Sequence, residues 1–121
     1  MQIRPPHASK LTRGIEFRSA LTARCRLTGA HFLVRAQSNG LAGARLGLIA
    51  SRKAARRAVD RNRAKRLARA VFRTLRPGLP AVDIVVQLKD DLRQAGNPEV
   101  REELYRLLST AAGRFGAAAA A

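Results

Sequence analysis

The sequence predicts an α+β fold: a four-stranded mixed sheet packed with three helices, in the order αβββαβα, with a basic helix as the crossover between two strands. Three observations predict it. Period-two alternation occurs in short segments, while longer segments follow a 3.6-residue period, so the chain needs both strands and helices. Residues 82–88 are nearly apolar on both faces, which puts that strand in the middle of a sheet or in a parallel pairing. The basic helix stands between two strands, the connection that parallel neighbours require.

Taken in order, residues 1–9 contain Pro5 and Pro6 and no periodic pattern, and read as a flexible arm. Residues 13–21 read as a short helix, with Thr12 as cap and Ile15, Phe17, Ala20 and Leu21 as its apolar side. Leu27 and the Thr28-Gly29 pair mark a brief strand and turn. Residues 31–37 alternate, with Phe32, Val34 and Ala36 on one side and Leu33 and Arg35 on the other. Ser38-Asn39-Gly40 is a turn signal, because Asn and Gly tolerate positive φ. Residues 45–51 give a second long strand, with Leu46, Leu48 and Ala50 on one face. The basic helix then runs to about Leu75 and stops at Arg76-Pro77-Gly78, since Pro77 cannot continue the ladder. After the strand at 82–88, Asn97 reads as an N-cap, Pro98 as the first helical residue and Glu99 as a first-turn acid. Val100, Leu104, Leu107, Leu108, Ala111 and Phe115 give that last helix a continuous apolar stripe. Residues 116–121 are expected to be a disordered Ala-rich tail, which leaves 10–115 as a single domain.

The charge narrows the function. The 121 residues carry a net charge of +16, far more than solubility needs, so the expected partner is a polyanion. Four Phe, one Tyr and no Trp argue against base stacking on an aromatic-rich sheet. Cys25 is alone, so there is no disulfide framework, as suits a reducing compartment. No apolar run approaches the ~20 residues of a membrane span, and no apolar run follows Arg4 as in a signal peptide. A cytoplasmic location and no membrane association are the expectations.

Residues 52–76 concentrate that charge, with nine Arg, two Lys and one acid, Asp60. With Val59 at zero and about 100° per residue, Ala64, Leu67, Ala68, Val71 and Leu75 share an arc of about 100°, with Phe72 just beyond it. Asn62, Lys65, Arg66, Arg69, Arg73 and Arg76 share a second arc, so one face can bury while the other is cationic. A solvated surface helix would intersperse acids at i,i+4, but none occurs in residues 61–76. Like-charge pairs such as Lys65–Arg69 and Arg69–Arg73 cost a few tenths of a kcal/mol each, which a polyanion reverses. Arg also matches phosphate oxygens with a planar fork. The helix therefore reads as one that lies against nucleic acid.

R-N-R-A-K-R-L-A-R-A-V-F-R at 61–73 resembles the signature of the bacterial ribonuclease P protein component. The likeness extends to L-G-L-I-A-S-R-K at 46–53, A-V-D at 58–60, L-P-A-V-D-I-V-V at 79–86 and I-E-F at 15–17, and covers roughly residues 10–112. The resemblance implies an RNA-binding domain that is a subunit of a ribonucleoprotein removing the 5′ leader of precursor tRNA, with the RNA subunit as catalyst. It implies as partners ribonuclease P RNA and precursor tRNA, with no obligate protein partner, and Mg2+ held mainly by the RNA. It also implies a left-handed crossover, against the usual rule. By the same resemblance, Arg61, Asn62, Arg63, Lys65, Arg66, Arg69 and Arg73 face the RNA subunit. Phe17, Leu21, Phe32, Val34, Ser51, Arg52 and Lys53 would line a leader cleft between the sheet and the first helix. The family often has a second aromatic where Leu21 stands, and Lys-Lys where this chain has Arg52-Lys53. Phe17 and Phe32 are equally readable as core residues.

The residues themselves offer no protein-centred catalyst. His7 lies in the arm and His31 opens a strand, Asp90-Asp91 reads as a polar loop, and Glu99, Glu102 and Glu103 suit a helix N-terminus. Neither a phosphate-binding glycine loop nor zinc-ligand spacing occurs. A ribosomal or other structural RNA-binding protein fits the charge and size as well. A groove-reading DNA-binding helix fits less well, because residues 46–50 pattern as a strand rather than a second helix.

Overall fold

The computed structural model describes residues 25–41 and 43–120, with side chains as far as Phe115. In order it contains β1 (Cys25–Thr28), β2 (Phe32–Ser38), β3 (Arg45–Ile49), α1 (Ala58–Leu75), a 3-10 turn (Arg76–Gly78), β4 (Val82–Leu88) and α2 (Asn97–Ala120). The described residues thus hold two of the three expected helices. The helix expected at 13–21, with Phe17 and Leu21, lies outside the described residues, as does the arm at 1–9.

The strands form one mixed sheet in the order β1-β2-β4-β3. β1–β2 and β2–β4 are antiparallel, while β3 and β4 run parallel with α1 as their crossover. The apolar β4 sits between two neighbours, and its Val82, Ile84, Val85, Val86 and Leu88 are all buried. Register aligns Phe32 with Leu88, Val34 with Val86 and Ala36 with Ile84, and Ile84 in turn with Leu46. These side chains share one face and pack with Ala64, Leu67, Ala68, Val71 and Phe72 of α1 and Val100, Leu104, Leu107, Leu108 and Ala111 of α2. The apolar arcs read from the sequence therefore meet in a single core.

Strand β3 stops at Ile49, short of the expected 51, and helix α1 begins six residues after Arg52, because residues 50–57 form the β3–α1 loop. Helix α2 continues to Ala120, through the Ala-rich run that the sequence reading assigns to a disordered tail; Ala is the best helix former and the run follows a packed helix. At the 38–40 turn only Gly40 takes positive φ (67°). Asn39 instead acts through its side chain, accepting from the Leu41 N–H (2.7 Å) and donating to the Gly43 carbonyl (3.1 Å) and Asp83 (2.9 Å).

Two buried carboxylates tie the sheet to its surroundings. Asp83, 2% exposed, accepts a two-pronged contact from Arg45, both bonds 2.8 Å. Glu103 of α2, 5% exposed, accepts from the backbone N–H groups of His31 (2.8 Å) and Phe32 (3.0 Å) and lies 2.8 Å from the His31 ring. Gly29 makes room for it, since a Cβ there would stand 2.6 Å from Glu103 Oε2. Glu103 thus clamps the β1–β2 turn to α2, a role the sequence reading of a helix-start acid does not contain.

Candidate nucleic-acid interface

The basic stretch divides in two once its partners are known. Four of its arginines bind the protein itself. Arg57, at the N-cap of α1, reaches Asp60 through Nε (2.8 Å) and Nη2 (3.0 Å). The Arg57 hydrogen bond, aided by Arg57, Arg93 and Arg63 charge, holds the buried Asp60 carboxyl below its ordinary range against the opposing cost of burial, and Asp60 in turn raises Arg57. Arg61 donates to the carbonyls of Ala55 (2.9 Å) and Arg56 (2.8 Å) and so closes the loop that precedes the helix. Arg63 donates to Asn97 Oδ1 (2.7 Å), the Leu92 carbonyl (2.7 Å) and the Ala95 carbonyl, fastening the β4–α2 loop to α1. Asn97 therefore serves as an acceptor for Arg63 rather than through a side-chain cap bond. Arg76 donates to the Ala44 carbonyl (3.0 Å).

The other cations face outward. Asn62, Arg66, Arg69 and Arg73 are exposed on α1, and Arg66, Arg69 and Arg73 make no hydrogen bond or ion pair among the described residues. They sit within an arc of about 60° and span eight residues, a ridge about 10 Å long. Lys65 is half-buried. Ser51, Arg52 and Lys53 lie exposed in the β3–α1 loop, where Ser51 Oγ accepts from the Ala54 N–H (3.2 Å). Of the residues matched to the RNA-facing surface, the structure groups Asn62, Arg66, Arg69 and Arg73, sets Lys65 beside them, and turns Arg61 and Arg63 inward.

Phe32 and Val34, matched to the leader cleft, are 1% and 0% exposed and belong to the core, the placement the sequence equally allows for Phe32. Their strand offers its other face instead. Leu33 and Arg35 point there, and Arg35 donates to Gln87 of β4 (3.3 Å). The sequence reading missed this face although the β2 alternation holds the signal, because the arginine-bearing side of a half-buried strand is the one that can stay wet. Phe17 and Leu21 lie outside the described residues.

Catalytic groups do not converge. Among the described residues, no three His, Cys, Asp or Glu side chains come together as a metal-ligating group, and the buried Asp60, Asp83 and Glu103 each already accept from protein donors. No helix among the described residues is long and apolar enough to cross a membrane.

Comparison with known proteins gives the chain a family and its fold solved counterparts. The family described as Ribonuclease P matches residues 6–112. A ribonuclease P protein component of Coxiella burnetii (strain Dugway 5J108-111) is 38% identical over 94 residues, 78% of either chain. One from Azoarcus sp. (strain BH72) is 37% identical over 100 residues, 83% of either chain. Among solved structures, the RNase P protein from Thermotoga maritima superposes with a TM-score of 0.72 at 30% identity, covering 84% of this chain and 96% of that one. A Staphylococcus aureus RNase P protein mutant shares the fold, with a TM-score of 0.79 at 24% identity over 86% of this chain and 88% of that one.

Proposed function

The chain belongs to the ribonuclease P protein family, and from that premise we propose that it binds the catalytic RNA through the α1 ridge and the 5′ leader of precursor tRNA through a separate surface. It is the protein subunit of a ribonucleoprotein in tRNA processing. The observation that carries the RNA-binding surface is the ridge of Arg66, Arg69 and Arg73, three outward guanidinium groups with no acid between them. Such a row neutralises successive phosphates and releases their counterions.

The leader reading rests on the exposed Ser51–Arg52–Lys53 loop and on the half-buried Leu33, Arg35 and Gln87, on the face of the sheet opposite Phe32 and Val34. Ile49 pairs with Gln87, which pairs with Leu33, so the loop leaves the sheet one strand away from β2, at the level of Leu33. Arg35 and Gln87 offer donors and an amide there, in place of the buried Phe32 and Val34. The protein's part is binding and positioning. In this reading Mg2+ belongs to the RNA. The location consistent with this role is cytoplasmic.

Reconstitution tests it. This chain, a bacterial ribonuclease P RNA and a precursor tRNA are combined at low magnesium, and leader release is compared with RNA alone. Stimulation that requires the leader and falls on Arg66→Ala is the expected result. Equal binding to unrelated structured RNAs without stimulation would instead indicate a general RNA-binding protein.

A further inference from the structure

A groove between α1 and α2 takes no part in the surfaces above. It holds about 500 Å³ and is lined by Ala70 and Thr74 of α1 and by Pro98, Arg101, Glu102 and Tyr105 of α2. Tyr105 is 54% exposed, although a large ring on a packed helix would ordinarily be covered. Ala70 lies four residues after Arg66 and three before Arg73, so it is their neighbour on the helix surface. The ridge is therefore one rim of the groove, and the ring of Tyr105 belongs to the opposite wall.

The groove suits a base better than a phosphate. Its lining sets the Glu102 carboxylate beside Arg101 and so carries no net positive charge to hold an anion, whereas the small Ala70 and the Pro98 ring present apolar surface to a flat ring. An aromatic face accepts any base, and an adjoining carboxylate can accept from a base amino group. A second copy of this chain fits less well, because each copy carries a net charge of +16 and would meet like charge.

We propose that the α1/α2 groove receives an unpaired base, stacked on Tyr105, from the RNA strand whose phosphates the Arg66–Arg69–Arg73 ridge holds. This rests on the reading that the ridge faces the RNA subunit. It adds α2 to the interface and makes the contact selective for unpaired over fully duplex RNA.

Tyr105 is the only tyrosine and the chain has no Trp, so intrinsic fluorescence reports this one site. The full chain is titrated with ribonuclease P RNA and, separately, with a blunt RNA duplex, alongside Tyr105→Ala, Tyr105→Phe and Arg69→Ala. Expected are saturable quenching by the RNA subunit and none by the duplex. Tyr105→Ala weakens RNA-subunit binding about 5- to 100-fold, and Tyr105→Phe restores it, as stacking requires. An unquenched Tyr105 in the saturated complex, with Tyr105→Ala binding as tightly as wild type, overturns the proposal. If Arg69→Ala still weakens binding in that case, the ridge reading survives. If Arg69→Ala also binds unchanged, the ridge reading falls with it. A fluorescence change that grows with protein concentration in the absence of RNA overturns the proposal in favour of self-association.

Discussion

The first two turns of α1 and its last three look alike in sequence and do different work. Arg57, Arg61 and Arg63 turn their guanidinium groups onto protein acceptors, whereas Arg66, Arg69 and Arg73 turn theirs to solvent. The R-N-R motif by which the family is recognised falls largely in the first group. Its two arginines build the platform: Arg61 closes the loop before the helix, and Arg63 fixes the loop before α2. Local acceptors make the difference. The arginines at the start of the helix lie within reach of the carbonyls of two loops, whereas Arg66, Arg69 and Arg73 find no acceptor among the described residues.

Breaking the inward group should give the largest effect. Arg63→Ala leaves three acceptors without their donor, two of them backbone carbonyls of buried residues, and should lower unfolding stability by about 2–4 kcal/mol. Urea unfolding checks this, with a lower midpoint at an unchanged slope. RNA affinity measured on the folded fraction should fall far less than for the outward group.

Breaking the outward group should reverse the pattern. Arg66→Ala, Arg69→Ala and Arg73→Ala combined should reduce the salt slope of RNA binding by about 2, at ~0.7–0.9 per lost phosphate contact. Stability should stay within about 0.5 kcal/mol of wild type, because like-charge repulsion along the helix is removed. Affinity measured across a salt series separates the two groups, and an unchanged slope would show that the ridge faces solvent in the complex.

The smallest effect sharpens the comparison through pH. Asp60 is held below its ordinary value of 3.8, chiefly by its hydrogen bond from Arg57. A depressed carboxyl stabilises the fold above its unfolded-state value and loses that contribution as pH falls through the folded-state one. The stability gap between wild type and Asp60→Asn should therefore hold from neutrality down to about pH 5 and close below about pH 4. A gap that stays constant into acid would show that Asp60 contributes packing alone.

Particular residues show how far the sequence could be read. Val82–Leu88 was legible as a central or parallel strand because burial on both faces leaves an apolar run. The apolar arc of α1 was legible because helical period maps directly onto a face. Phe32 and Val34 were placed on one side of β2 correctly, yet the alternation could not say which side the helices cover. Glu103 read as a helix-start acid, because its partners His31 and Phe32 are 71 or more residues away.

Period, composition and motif were enough for the class of fold, the strand and helix order over the described residues, an RNA partner and the family. Local period, composition and motif are properties of neighbouring residues, and they need no knowledge of the rest of the chain. Which arginines hold the fold and which face outward depends on the packed arrangement of the elements. A guanidinium group on a long flexible stem is directed by whichever acceptors come within its reach. For Arg63 those acceptors lie 29 to 34 residues further along the chain and meet it only when α2 packs on α1.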